Sequence, residues 1–244
     1  MNKLLTITLM LSYFCYMTPA LLMTETNNIV LRGAITEKSA DDFIYSLLLN
    51  NPEYVYITSN GGSVSAGHRM VAQIQQRNLT CIADRAYSMA FVILQACTHR
   101  YITTSSSVMQ HQMSLGIRGP LMNMNNYLNM VNQVEEELNQ MQADRIGLSL
   151  DAFEKMVSTD WWLAGQDIID KNVADIMVSV SCTPELVQKN VTVTRQSFFG
   201  DDIIETYSAC PLINKPIHVK GDDGFFFESK EHEETTPEVC LITL

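Results

Sequence analysis

The stretch from Tyr54 to Gln95 constrains this chain most, because it reads as strand, turn and helix twice in succession. Tyr54 to Thr58, YVYIT, is β-branched or aromatic at every position, which predicts a strand buried on both faces. Ser59-Asn60-Gly61-Gly62-Ser63-Val64 follows as a tight turn whose paired glycines permit unusual dihedrals and let another backbone approach closely. Gly67, Met70, Val71 and Ile74 then recur at i, i+3, i+4 and i+7, the spacing of one helical face. Leu79 to Ala83 is a second short strand. It feeds Asp84 to Gln95, DRAYSMAFVILQ, where Ser88 opens an apolar segment long enough for a short buried helix. Repeated βα units imply an α/β fold, a mainly parallel sheet covered by helices.

The flanking chain extends this pattern. Asn28 to Gly33 reads as a strand, and Ser39 is placed to cap a helix with Asp41 and Asp42 in its first turn. Phe43, Ile44, Leu47 and Leu48 share one face of that helix, and Pro52 ends it. Arg100 to Thr103 and Val108 to Gln110 read as two further strands, the second running into His111. Met122 to Arg145 carries the longest helical pattern, with Met124, Tyr127, Leu128, Val131, Val134, Leu138 and Met141 on one stripe. Such a helix is either an ordinary core helix or an arm that packs against another subunit. Ser149 is placed to cap a short helix holding Phe153, Met156 and Val157. Asp160-Trp161-Trp162-Leu163 comes next, then a helix to Lys171 closed by Asn172, and a last strand from Val173 to Val178. Past Ser179 the pattern weakens to scattered Thr and Val, the pair Phe198-Phe199, the run Phe225 to Phe227 and an acidic patch from Glu228 to Glu238. Residues 179–244 therefore read as a strand-poor extension to a domain spanning 28–178.

Composition sets bounds on partners. With 244 residues, 46% of them apolar, the chain can bury a full core. A formal charge of −11 with no Lys/Arg cluster argues against a nucleic-acid partner. Residues 1–20 form a lysine-led apolar run ending in small residues, which reads as a signal peptide cut after Ala20 or as an uncleaved membrane anchor. A secreted or membrane-anchored protein is expected, with a cytoplasmic or organellar one as the alternative. Removing Cys15 with the leader leaves Cys81, Cys97, Cys182, Cys210 and Cys240. Cys81 and Cys97 lie in apolar stretches and read as inert core thiols, so a disulfide is expected among the other three. Asn78 and Asn190 begin glycosylation-type triplets. No His/Cys spacing suits a metal, and no cofactor is implied.

Ser88 is the residue with the most chemistry to offer. A serine at a helix start lies beside backbone N–H groups without intrahelical partners, where the helix dipole favours negative charge. That position suits an oxyanion, and it equally suits a plain N-cap.

Four short strings in order resemble the proteolytic subunit of the Clp protease family. They are SNGGSV from Ser59, YSMAFV from Tyr87, Met109 to Gln112 ending in His-Gln, and Asp160 to Leu163. The family's counterparts are SPGGSV, ASMGAF, Met-Ile-His-Gln, and Asp followed by an aromatic residue and Leu. The resemblance covers Asn28 to Val178 and implies the ClpP/crotonase-like arrangement of repeated βαβ units, with the long helix as a handle intercalating between subunits. It further implies a serine endopeptidase in which Ser88 is the nucleophile, His111 the general base and Asp160 the group that orients the histidine. The N–H groups of Gly62 and Met89 would form the oxyanion hole. Implied partners are a peptide or unfolded protein substrate, a homo-oligomeric ring, and an ATP-driven unfoldase if the chain is not secreted.

Two positions depart from the family. Thr159 stands where an arginine commonly helps rings pair, and Ala90 replaces the glycine after Ser-Met.

Other readings use the same scaffold differently. A catalytically silent scaffold would use the fold and the extension for interaction. A Ser-Lys signal-peptide peptidase would need Lys155 or Lys171 as a base, and neither has a dyad context in the sequence. A crotonase-like acyl-CoA enzyme would need no triad.

Overall fold

The structure is a computed structural model that describes residues 18–116, 118–196, 202–220 and 226–227. Most of the expected leader, Cys15, Phe198-Phe199, Phe225, the acidic patch and Cys240 lie outside the described residues. In chain order the elements are β1 (Ala20–Met23), β2 (Asn28–Ile35), α1 (Glu37–Asn50), β3 (Tyr54–Gly62), α2 (Val64–Arg77), β4 (Thr80–Tyr87), α3 (Met89–Ala96) and β5 (His99–Gln110). There follow α4 (Leu121–Ile146), α5 (Leu150–Val157), β6 (Trp161–Ala164), α6 (Gln166–Asp170), β7 (Ile176–Met177), β8 (Ser179–Cys182) and α7 (Pro184–Gln188). The last four are β9 (Asn190–Gln196), β10 (Asp202–Ser208), β11 (His218–Lys220) and β12 (Phe226–Phe227).

The main sheet runs β2-β3-β4-β5-β6, with β7 also on β5. Strands β2 to β5 are parallel, joined through α1, α2 and α3 as the βα pattern requires, and β6 turns back antiparallel on the second half of β5. The two strands expected at Arg100–Thr103 and Val108–Gln110 are one. The register against β4 jumps between Ala83/Ile102 and Arg85/Ser107, so three residues of β5 bulge where Ser106 donates to the Ala83 carbonyl at 2.6 Å. Helix α1 is capped by Thr36, not Ser39: Ser39 is the third helical residue of a capping box, and its hydroxyl accepts from Thr36 N at 2.8 Å. Phe43 and Leu47 are buried as their spacing predicts, whereas Leu48 is exposed. Ser149 does cap α5, accepting from Ala152 N. Asn172 does take the left-handed conformation.

Two apolar cores lie on opposite faces of the sheet. Side chains alternate along each strand, so Val55, Ile57, Cys81 and Ala83 face α1 to α4. Tyr56 and Ile82 face the other way and pack with Met23, Val178, Leu186 and Cys210. This second face is closed by the part of the chain expected to be strand-poor. It carries β8, which pairs in parallel with β1, and the antiparallel sheet β12-β11-β10-β9. Val178 therefore ends no last strand. The Thr and Val scattered beyond it are the alternating positions of exposed strands, a weaker signal than a buried run. Arg32 of β2 fastens this region: its guanidinium donates to the Ile213 carbonyl at 2.9 Å and lies 4.8 Å from the Tyr207 ring centroid. A Cys182–Cys210 disulfide joins β8 to the end of β10, in the region where a bridge was expected.

Cys81 and Cys97 are not inert thiols. They are bonded to each other, one at the start of β4 and the other at the C-cap of α3, with Cα atoms 5.8 Å apart. Their apolar surroundings, which argued for core packing, are equally the surroundings of a buried bridge.

Helix α4 is divided. Leu138, Gln142, Ala143 and Ile146 in its last turns are buried, but Leu121 and Met122 are 67% and 70% exposed, and Tyr127 and Met130 stand out beside them. Along the apolar stripe, Met124, Leu128 and Val131 are only partly covered by the described residues.

Candidate active site

Strand β4 passes into α3 through Ser88, whose backbone is strained. Its φ of 54° and ψ of −123° lie where side chains rarely go. Among the described residues the other non-glycine positions with positive φ are Asn51, Asn78 and Asn172, all asparagines at helix ends, where that conformation is cheap. The tight turn throws the Ser88 side chain away from the helix N-terminus, so it makes no capping hydrogen bond. Its Oγ instead lies 2.9 Å from Nε2 of His111. Ser88 N donates to the Met109 carbonyl at 2.8 Å, fixing the turn to the strand that carries the histidine.

The glycine pair packs against this turn. A Cβ on Gly61 would sit 2.5 Å from the Tyr87 carbonyl and 2.9 Å from Met89 N, and one on Gly62 would sit 2.3 Å from the Ile35 carbonyl. Both clashes are with backbone, which cannot swing aside. The close approach anticipated for a Gly-Gly turn is thus made, by Gly61 to the serine's own turn and by Gly62 to Ile35. Gly62, Ser88, Met89 and His111 line one cleft. As the first residue of α3, Met89 has an N–H without an intrahelical acceptor.

His111 stands at the end of β5 and is steadied by two buried glutamines. Gln110 Nε2 donates to Gln142 Oε1, Gln142 Nε2 donates to the Leu138 carbonyl at 3.0 Å, and His111 N donates to Gln110 Oε1 at 3.2 Å. The amides tie the histidine's strand to α4. Two more groups brace the strand: Tyr87 shares a hydrogen bond of 2.7 Å with Ser107, and its ring meets Trp162 edge-on at 4.9 Å.

Asp160 is exposed, with no hydrogen bond or ion pair to His111 among the described residues. The antiparallel register pairs Met109 with Trp162 and Gln110 with Trp161. One further step sets His111 opposite Asp160, where cross-strand Cβ atoms are typically about 5 Å apart. Ser88 and His111 are thus brought together, whereas Asp160 engages neither of them among the described residues. Lys155 and Lys171 are exposed and line no part of the cleft.

Behind the site, Arg100 is almost fully buried and organises the far end of α3. It donates to Gln95 Oε1 at 2.7 Å, to the Arg145 and Asn172 carbonyls, and to the Asp175 carboxylate through Nε at 3.1 Å. Burial pushes the Asp175 carboxyl up. The side-chain and backbone hydrogen bonds from Arg100 outweigh that and hold it below its ordinary value.

A family model described as Clp protease matches residues 15–180. The chain belongs to the Clp protease family. Similar curated members include three named ATP-dependent Clp protease proteolytic subunit 2. That of Borreliella burgdorferi is 28% identical over 153 residues, which cover 58% of this chain and 77% of that protein. That of Cutibacterium acnes is 27% identical over 165 residues, 63% of this chain and 78% of that protein. That of Pseudomonas aeruginosa is 21% identical over 164 residues, 63% of this chain and 82% of that protein. The model's span ends near β8, so the sheet from β9 to β12 lies outside the Clp protease match. Within the Clp protease region, sequence reasoning missed Gln110, Gln142 and Arg100. The available signal was a polar residue at an otherwise apolar helical position, as Gln142 stands four residues after Leu138.

Proposed function

We propose that this chain is a serine endopeptidase that hydrolyses peptide bonds through an acyl-enzyme. The observation that carries the reading is the Ser88 Oγ to His111 Nε2 distance of 2.9 Å, from a serine whose strained backbone denies it a capping role. The hydroxyl donates to Nε2, and the imidazole takes the proton as Oγ attacks the scissile carbonyl carbon. The carbonyl oxygen becomes an oxyanion held by the N–H groups of Gly62 and Met89, donors that are worth roughly 3 kcal/mol each when aimed at that charge. The imidazolium returns its proton to the leaving amine as the C–N bond breaks. Water, deprotonated by the same imidazole, then releases the acid and restores Ser88. Asp160 turns toward His111 Nδ1 when substrate or assembly orders the end of β5, since such contacts often tighten only in the working complex.

The bare outer half of α4 is the contact face between copies in a homo-oligomeric ring, and peptides or unfolded proteins are the substrates. The leader directs the chain to secretion or a membrane, which would separate it from an ATP-driven unfoldase. Such a partner applies only if the chain stays where ATP is.

The test is labelling of the purified protein with a fluorophosphonate probe. Labelling that disappears in both Ser88→Ala and His111→Ala is the expected result. A folded oligomer that takes no label would favour a silent scaffold.

A further inference from the structure

We propose that Glu135 selects a cationic side chain, arginine or lysine, on the substrate residue that supplies the scissile carbonyl. The proposal rests on the peptidase reading and names the substrate class of the same cleft. Glu135, Leu138, Asn139 and Gln142 fall at i, i+3, i+4 and i+7 on α4, and all four line the cleft that holds Ser88 and His111. Across from them stand Val64, Met89 and Val92. A side chain next to the attacked bond therefore enters a space of mixed apolar and neutral polar walls with one ionisable wall group besides His111. Gln142 offers that side chain little, because its amide is already engaged by Gln110 and by the Leu138 carbonyl.

Glu135 is in the opposite position. It is half-buried, and it makes no hydrogen bond or ion pair with any described residue. His68 on α2 lies 4.0 Å from a Glu137 carboxylate oxygen instead, and among the described residues no lysine or arginine lines the cleft. A partly desolvated carboxylate in a cleft that also presents Val64, Met89, Val92 and Leu138 suits the long aliphatic stem and charged head of lysine or arginine. A neutral side chain would leave the carboxylate further desolvated and unpaired, and an acidic one would add repulsion. Beyond Glu135 the cleft continues between α4 and α5, sharing Gln112, Met113 and Asn139 and adding Glu136 and Glu154. The acid lining thus extends past the first side chain, favouring substrates with basic residues nearby as well.

The test uses the full chain and peptides that differ only at the residue before the scissile bond: arginine, lysine, leucine or glutamate. The arginine peptide is expected to exceed the leucine peptide in kcat/KM by about tenfold or more at low salt, with the ratio narrowing as salt rises. Glu135→Gln is expected to bring that ratio near one, and Glu135→Lys to move the preference to the glutamate peptide. A second measurement compares binding of the same peptides to Ser88→Ala, which needs no turnover. Tighter binding of the arginine peptide that is lost in Ser88→Ala with Glu135→Gln supports the selection even if the unmodified chain cleaves nothing, a result that would remove the peptidase reading alone. Equal affinity for the arginine and leucine peptides, or equal cleavage of both, overturns the selection and leaves the peptidase reading standing.

Discussion

The second and third βα junctions of the sheet each place a serine immediately before a helix, yet the two serines do opposite things. Between β3 and α2, Ser63 has φ −58° and its hydroxyl accepts from Ala66 N at 3.3 Å, an ordinary N-cap. Between β4 and α3, Ser88 has φ 54°, leaves its helix uncapped and faces His111. Residue type and position are the same; the sign of one dihedral separates a hydroxyl that caps its helix from one that faces a histidine. The reversal is imposed from outside the turn, by Met109 accepting from Ser88 N and by Gly61 lying against the Tyr87 carbonyl.

That contrast can be broken at either junction. Ser88→Ala should lower hydrolysis by roughly ten-thousandfold or more, with labelling lost and the melting temperature nearly unchanged. Gly61→Ala should come next: the added methyl meets backbone at 2.5 Å, so the elbow must shift, at a cost of about 2 kcal/mol or more. Labelling by the probe should fall far more than the loss of folded protein explains. A smaller effect is expected from Asp175→Asn, which removes the carboxylate paired with buried Arg100 behind α3. Because Asp175 titrates lower when folded, it stabilises the chain above the ordinary carboxyl range, and that contribution is lost as pH falls below about 4. Acid-unfolding curves of the variant should be flatter there than those of the parent. Ser63→Ala should cost least, about 1 kcal/mol by denaturant melts, with labelling per folded molecule retained. Equal loss of labelling in Ser63→Ala would erase the distinction between the junctions.

Much of this arrangement was legible in the sequence for a local reason. Glycine pairs, helical periodicity and β-branched runs each act within a few residues, so β3, α2, β4 and α3 stand close to where their residues imply. Ser88 and His111 were found because a short motif surrounds each. What escaped depends on partners distant in the chain. Cys81 and Cys97 looked like core thiols because nothing local marks a bridge between a strand start and a helix end. Gln142 drew no notice because its partner Gln110 is 32 residues away. Ser39 lost the cap to Thr36 by three residues, since a capping box offers both ends as plausible starts. The strands beyond Val178 escaped because their exposed faces admit Asn and Thr as readily as Val.

The Cys81–Cys97 bond also changes what a cut in the backbone can do. The two cysteines are 16 positions apart, and Ser88 lies between them, so the whole elbow belongs to a covalently closed loop. A single nick anywhere from Ile82 to Ala96 would open the chain without dividing it. The two pieces would stay joined through sulfur, and even a break after Ser88, which puts the serine and His111 on different pieces, would leave both in one covalent molecule. For a molecule proposed to work among severed peptides, the segment bearing Ser88 is a stretch that a first cut cannot release.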